Sequence, residues 1–134
     1  MTIQLGFEVK IQQPFDQAVE TVTAALKTQG FGVLTRIDVQ ATLKEKLNVD
    51  FRPYIILGAC NPPLAHQALS TDPWIGLLLP CNVTVEAVDE ELSLVRLTDP
   101  GTIVNLSEKA GEMKELALNG HQKMAAVAAA LEGI

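Results

Sequence analysis

The start of the chain shows two successive hydrophobic periods, which predict a strand and then a helix. In the first segment apolar residues alternate with polar residues or glycine, at Ile3, Leu5, Phe7, Val9 and Ile11. A period of two is typical of a strand that buries one face. From about Pro14 to Gln29 the apolar residues instead follow helical spacing, and Gly30 provides a helix stop.

The middle of the chain predicts four more strands and two short helices. The strand segments are rich in apolar and β-branched residues, and they run from Phe31 to Asp38, Tyr54 to Cys60, Cys81 to Val88 and Leu92 to Thr98. The polar pair Asp89-Glu90 is a tight connection, which predicts that the last two strands form an antiparallel hairpin. Short helices are expected from Val39 to Leu47 and from Pro63 to Leu69, and a turn or half-buried loop from Asp72 to Gly76.

The last third of the chain predicts one long helix that begins near Asn105. Asn105 can cap the first turn, and Glu108, three residues later, completes a capping-box pattern. A regular apolar stripe with spacings of four and three follows at Leu106, Ala110, Met113, Ala117, Gly120, Met124, Val127 and Leu131. Packing on the chain's own sheet is favoured over a coiled-coil partner, because Gly111 and Gly120 would each cost an isolated coil about 1 kcal/mol.

These elements predict one α+β domain that spans residues 1–134. Short connections between the second and fifth strands favour an antiparallel meander. The expected order is β-α-β-β-β-β-α with short helical insertions. We therefore expect an antiparallel sheet of about five strands, with the N-terminal helix and the long C-terminal helix on one face.

Composition and charge narrow the classes of partner. The chain has 134 residues, of which 48% are hydrophobic and 4% aromatic, and its net charge is -6. Its ten Lys and Arg residues are scattered singly, so neither nucleic acid nor an anionic membrane surface is an expected partner. The N-terminal segment lacks a secretory signal, and two cysteines are too few for a secreted disulfide scaffold. These features predict a cytoplasmic protein.

The two cysteines are the strongest candidates for chemistry. Cys60 ends the third predicted strand and Cys81 begins the fourth, so antiparallel pairing would place them nearly opposite each other. Opposed Cα atoms in such a ladder lie roughly 4.5 to 5.5 Å apart, within the range of a disulfide. Three interpretations stay open: buried cysteines that act only in packing, a redox or sulfur-transfer pair, and a soft-metal site completed by His66.

No familiar catalytic motif occurs in the chain, so an enzyme is not favoured and no cofactor is expected. His66 and His121 are isolated histidines without an obvious carboxylate companion. Trp74 is expected to line a pocket near the cysteine loops, to anchor the core or to lie at a subunit contact. The candidate ligand-binding residues are Cys60, Asn61, His66, Trp74, Cys81 and Asn82.

Five short segments resemble one family over nearly the whole chain. They are Gly30-Phe31-Gly32-Val33-Leu34, Ile37-Asp38, Asn61-Pro62, Leu79-Pro80 and Thr98-Asp99-Pro100. In this order they resemble the family called domain of unknown function 302. The resemblance implies a curved antiparallel sheet with helices on one side, like a single TBP-like repeat, and a homodimer. It implies no catalytic residues.

The sequence as a whole favours a small binding or accessory domain that forms a homodimer. Its small-molecule pocket would lie between the long helix and the sheet, lined partly by the loops of Cys60 and Cys81. The alternatives are a thiol-based redox or sulfur-transfer protein that uses both cysteines, and a soft-metal protein that also uses His66.

Overall fold

A five-stranded antiparallel sheet organises the chain in the computed structural model, which describes residues 4–134. The strands are β1 (Gly6–Ile11), β2 (Gly32–Asp38), β3 (Tyr54–Cys60), β4 (Cys81–Ala87) and β5 (Ser93–Thr98). Their order is β1-β5-β4-β3-β2, and every neighbouring pair is antiparallel. The predicted meander is therefore confirmed. Ile3, at the start of the predicted first strand, lies outside the described residues.

The sheet is accompanied by five α-helices, a six-residue 3₁₀ helix and a three-residue 3₁₀ turn at Ala110–Glu112. The α-helices are α1 (Phe15–Thr28), α2 (Val39–Leu47), α3 (Pro62–Thr71), α4 (Pro100–Asn105) and α5 (Lys114–Leu131). The 3₁₀ helix spans Pro73–Leu78, where a turn or loop was expected. Together with the sheet, these elements confirm the predicted α+β class.

The main core lies between the sheet and the apolar sides of α1 and α5. Its members are Val9, Ile11, Ala18, Val19, Val22, Leu26, Phe31, Leu57, Ala59, Val83, Val85, Val95, Leu97, Met124, Val127, Ala128 and Leu131. The strand members recur at every second position, so they lie on one face of the pleated sheet. The prediction that the N-terminal and C-terminal helices cover this face is confirmed.

The long helix begins at Lys114, so the expectation of a start near Asn105 was wrong. Asn105 is instead the last residue of α4. Asp99 starts that helix, because its Oδ1 accepts a hydrogen bond from the Gly101 backbone N at 2.9 Å, and Pro100 occupies the first turn. An acidic cap followed by proline is strong helix-start chemistry, and it initiates a helix earlier than the predicted capping box would.

Between the two helices, the first part of the predicted apolar stripe is not packed as a helix face. Leu106 is 59% exposed, and Ala110 lies in a short 3₁₀ turn. From Met113 onward the stripe is buried as predicted. Only the part of the stripe that faces the sheet and the neighbouring helices therefore follows the sequence pattern.

The opposite face of the sheet carries an ion-pair cluster centred on Glu86. Glu86 is only 5% exposed, and its carboxylate accepts hydrogen bonds from Arg52 Nε and Arg96 Nη1. Arg96 Nε also donates to Glu8 Oε2 at 3.0 Å. Burial acts to raise the pKa of Glu86, but the two arginines outweigh it and hold this pKa below its ordinary value.

Candidate functional site

A second group of buried residues lies at the end of the sheet where β3 stops and β4 starts. We call it the second cluster, and it consists of Ala68, Ile75, Cys81, Ile103, Val104, Met113, Leu116 and Ala117. Its members come from α3, the 3₁₀ helix, β4, α4, the first turns of α5 and Met113, which directly precedes α5. Short elements that meet at one sheet end therefore build this region.

Asn61 fixes the start of α3 beside the sheet. It is 7% exposed, its Oδ1 accepts a hydrogen bond from Leu64 N at 3.4 Å, and its Nδ2 donates to Gln29 O at 3.0 Å. Pro62 follows in the first turn of α3, where a missing N–H costs nothing. The predicted capping role of Asn61 is confirmed, and the same side chain also ties α3 to the end of α1.

Asp72 holds the opposite side of the second cluster together. Its side chain is nearly buried and accepts hydrogen bonds from Trp74 N at 3.0 Å and from Ser107 Oγ at 2.5 Å. The first bond caps the 3₁₀ helix, and the second joins it to the segment after α4. Asp72 thereby fixes the spacing between the 3₁₀ helix and α4.

These elements line a cavity of about 350 Å³ that is partly open to solvent. Most of its wall is apolar, and representative lining residues are Leu64, Ala68, Ile75, Leu79, Ile103 and Leu116. The polar residues that border it are Cys60, Asn61 and Cys81. Within residues 4–134, no Asp, Glu, Lys, Arg or His side chain lines this cavity.

Gly120 lets α5 approach α4 closely at the cavity wall. A Cβ atom at this position would lie 2.8 Å from Cβ of Pro100. That distance is shorter than a normal carbon contact, so a larger residue would push α4 and α5 apart. In the sequence Gly120 fits the helical stripe, and its partner Pro100 is twenty residues away.

The two cysteines border the same cavity but are not directly opposed. Antiparallel pairing of β3 with β4 is confirmed, with Ala59 rather than Cys60 opposite Cys81. Cys60 is one residue farther along and pairs with Gly32 in β2. Because successive strand side chains point to opposite faces, this register does not present the two thiols to each other as an opposed pair. Both cysteines are free thiols.

Burial controls the chemistry of Cys81. Desolvation, with smaller contributions from Cys60 and Asp99, raises the pKa of Cys81 to about 11. Since the thiolate is the reactive form of cysteine, Cys81 is protonated and a poor nucleophile at neutral pH. At this position the thiol contributes an apolar surface and a weak hydrogen-bond donor.

Three of the predicted site residues lie away from the cavity. His66 and Asn82 are exposed and do not line it. Trp74 is 76% exposed and borders a separate surface groove with Leu78 and Leu106, so it is not a core anchor. In the described part of the chain, no three His, Cys, Asp or Glu side chains converge to hold a metal ion. The structure thus does not bring His66 together with the two cysteines.

The Asp99-Pro100-Gly101 segment and the helix that follows it contribute to the site, and neither was predicted from the sequence to do so. This segment brings Pro100, Ile103 and Val104 to the cavity. It also gives His121 a carboxylate partner, since His121 Nδ1 and Asp99 Oδ2 are 2.8 Å apart. The signal was the Asp-Pro pair, which is as typical of a helix start as of the end of a hairpin.

Together, the fold and this site define a small α+β domain with one helix-covered sheet face and an apolar cavity at the end of the sheet. The family model described as "Domain of unknown function DUF302" matches residues 7–131, and the chain belongs to this family. No curated protein matches the chain.

A solved structure supports the same fold. The chain is similar to the crystal structure of an uncharacterized conserved DUF302 protein from Bacillus stearothermophilus. The two share 27% sequence identity, and their superposition has a TM-score of 0.84. It covers 97% of this chain and 100% of the Bacillus chain.

Proposed function

We propose that this domain binds a small, mainly apolar molecule in the cavity at the end of the sheet. The observation that carries the proposal is the cavity of about 350 Å³, whose wall is apolar except at Cys60, Asn61 and Cys81. Small-molecule sites are commonly concave and apolar, with a few polar groups that orient the ligand. The cavity has both properties.

The size of the cavity is better explained by a ligand-binding role than by imperfect packing of side chains. Protein interiors contain few voids larger than one water molecule, which occupies about 30 Å³ in the liquid. At about 350 Å³ this cavity is far larger than such a void and falls within the roughly 300 to 1,000 Å³ typical of small-molecule sites. Its apolar wall is partly exposed to water, and an apolar ligand would cover that surface.

Blocking the cavity tests this proposal. N-phenyl-1-naphthylamine is a neutral apolar dye, and we expect its fluorescence to rise when it binds the protein. Ala65 lies on α3 at the cavity wall, so Ala65→Trp should fill the space and abolish the increase. Backbone amide NMR shifts should locate the bound dye at Leu64 and Ile75.

The matched control places the same side chain elsewhere on the same helix. Gln67 is exposed and does not line the cavity, so Gln67→Trp should leave dye binding unchanged. Equal loss of binding in both variants, or amide shifts confined to the surface groove of Trp74, would contradict the proposal.

The thiol-based alternative has weaker support. It requires two thiols that can exchange, whereas Cys81 stays protonated at neutral pH and the strand register offsets it from Cys60. Mild oxidation followed by mass spectrometry tests this alternative directly. A loss of two mass units, from an intramolecular disulfide that forms readily, would favour the thiol-based function.

The homodimer and the cytoplasmic location stay predictions. The dimer is consistent with the exposed apolar side chains Leu69, Trp74, Leu77, Leu78 and Leu106 near one end of the molecule. Sedimentation at micromolar concentration tests it, and a monomer throughout that range would contradict it. Over residues 4–134, no helix combines the length and the apolar character needed to cross a bilayer.

A further inference from the structure

We infer that the cavity selects neutral molecules and rejects carboxylates of the same shape. This inference rests on the proposed function, because it assigns a chemical class to the ligand of the same cavity. The cavity wall carries no charged side chain among the described residues, and the carboxylate of Asp99 directly precedes the wall residue Pro100.

An anion would find no compensating charge in the cavity. In the described part of the chain no cationic side chain borders it, and the amide of Asn61 already bonds to Leu64 N and Gln29 O. Moving a charged group from water into an apolar site without a partner is strongly unfavourable. Transfer of a neutral hydroxyl, ether or ester group into the cavity costs much less free energy. The Cys81 thiol can also donate a weak hydrogen bond to such a group.

Asp99 adds a second barrier against anions. It directly precedes Pro100, which lines the cavity, and its side chain is only 17% exposed. Its negative charge reaches the site, since Asp99 contributes to the raised pKa of Cys81. The carboxylate accepts a hydrogen bond from Gly101 N at 2.9 Å, and it lies 2.8 Å from Nδ1 of the half-exposed His121 ring.

A set of three eight-carbon probes tests the selectivity. 1-Octanol, octanoate and octylammonium share one alkyl chain and differ in charge. We expect calorimetry or amide NMR titration to show that octanol binds at least about tenfold more tightly than octanoate. Octylammonium should also bind more weakly than octanol, because the wall supplies no anionic group that contacts its head.

A conservative variant isolates the contribution of Asp99. Asn caps helices about as well as Asp, and its Oδ1 can still accept from Gly101 N. Its Nδ2 takes the position of the second carboxylate oxygen and can donate to His121 Nδ1 when that nitrogen carries no proton. Asp99→Asn should therefore raise the affinity for octanoate several-fold and leave that for octanol unchanged. Asp89→Asn is the matched control, because Asp89 is exposed in the β4–β5 connection, away from the cavity. It should change neither affinity.

The outcomes separate this inference from the proposed function. If octanoate or octylammonium binds as tightly as octanol in the cavity, charge selectivity is wrong while cavity binding stands. If neither the octyl probes nor the naphthylamine dye binds there, the proposed function itself fails. Should Asp99→Asn not fold, the three affinities of the unmodified protein still decide whether the site prefers neutral ligands.

Discussion

The main core and the second cluster are both apolar, but they are packed in different ways. In the main core, large side chains such as Leu26, Leu57 and Val85 are completely buried. In the second cluster, six of the eight buried residues, among them Ile75 and Cys81, line a cavity of about 350 Å³. Side chains fill the main core, whereas the second cluster leaves a cavity between its elements.

Their construction explains the difference. The main core is formed by regular elements, each of which offers a continuous apolar face to the others. The second cluster is held by single polar side chains, Asn61 and Asp72, which bridge segments far apart in the chain. Side chains on regular helix and strand faces can interdigitate along the whole element. Short segments that are held only at their ends can leave a gap between them. We therefore expect stability to depend mainly on the first region and binding on the second.

Truncation in the two regions should give the largest contrast in stability. Leu57→Ala removes a fully buried side chain from the main core and should lower the free energy of unfolding by about 3 kcal/mol. Ile75→Ala should cost only about 1 to 2 kcal/mol, because Ile75 faces existing empty space on one side. Urea denaturation measures both, and an equal or larger cost at Ile75 would contradict the distinction.

The sequence predicted the main core well, because local patterns determine its elements. β1 and α1 each have a single hydrophobic period, and Gly30, with a φ of 81°, marks the end of α1. The pairing of β1 with β5 had no local signal, but the antiparallel meander of β2 to β5 was also predicted from the connections. Such features depend on neighbouring residues, so they can be interpreted without knowing the tertiary structure.

The second cluster was predicted less well, because distant pairs determine it. Asn61 contacts Gln29, 32 positions away, and Asp72 contacts Ser107, 35 positions away. The helix start at Asp99-Pro100 was visible, yet the same residues also fit the close of a hairpin. Cys60, Asn61 and Cys81 all border the cavity, but Ala59 rather than Cys60 is opposite Cys81. The apolar wall that gives them a cavity had no local signal.

The stability of the fold at alkaline pH should show how well the second cluster excludes water from Cys81. The folded protein holds the proton of Cys81 up to a pKa of about 11, compared with an ordinary value of 9.0. A raised pKa stabilises the fold below pH 9, and this contribution is lost as the pH rises towards 11. The loss should approach about 2 kcal/mol.

Comparison of two cysteine variants isolates this effect. Cys81→Ala should remove the extra loss of stability between pH 9 and 11, whereas Cys60→Ala should retain it. Denaturation at a series of pH values makes the measurement. An identical pH dependence in the two variants would mean that Cys81 is more hydrated than its burial indicates.

The ion-pair cluster on the open face of the sheet should contribute less than the main core beneath it. Glu86→Gln removes the charge that both arginines contact and should cost about 1.5 kcal/mol at pH 7. Because the pKa of Glu86 is lowered in the folded protein, its contribution is present above the ordinary glutamate pKa and is lost on acidification. The stability difference between the two proteins should therefore shrink below about pH 4. A difference that is constant from pH 7 to pH 3 would indicate a packing effect instead.

The smallest expected effect on stability is that of substituting Trp74. This substitution tests whether the second cluster extends to the surface groove. Trp74 is 76% exposed, and the cap that orders the 3₁₀ helix uses its backbone N rather than its indole. Trp74→Ala should therefore change the free energy of unfolding by less than about 0.5 kcal/mol. Binding of the naphthylamine dye should be unchanged, because Trp74 does not line the cavity. If the substitution instead destabilises the fold by about as much as Ile75→Ala, the indole packs into the second cluster. Loss of dye binding at unchanged stability would place the ligand in the surface groove.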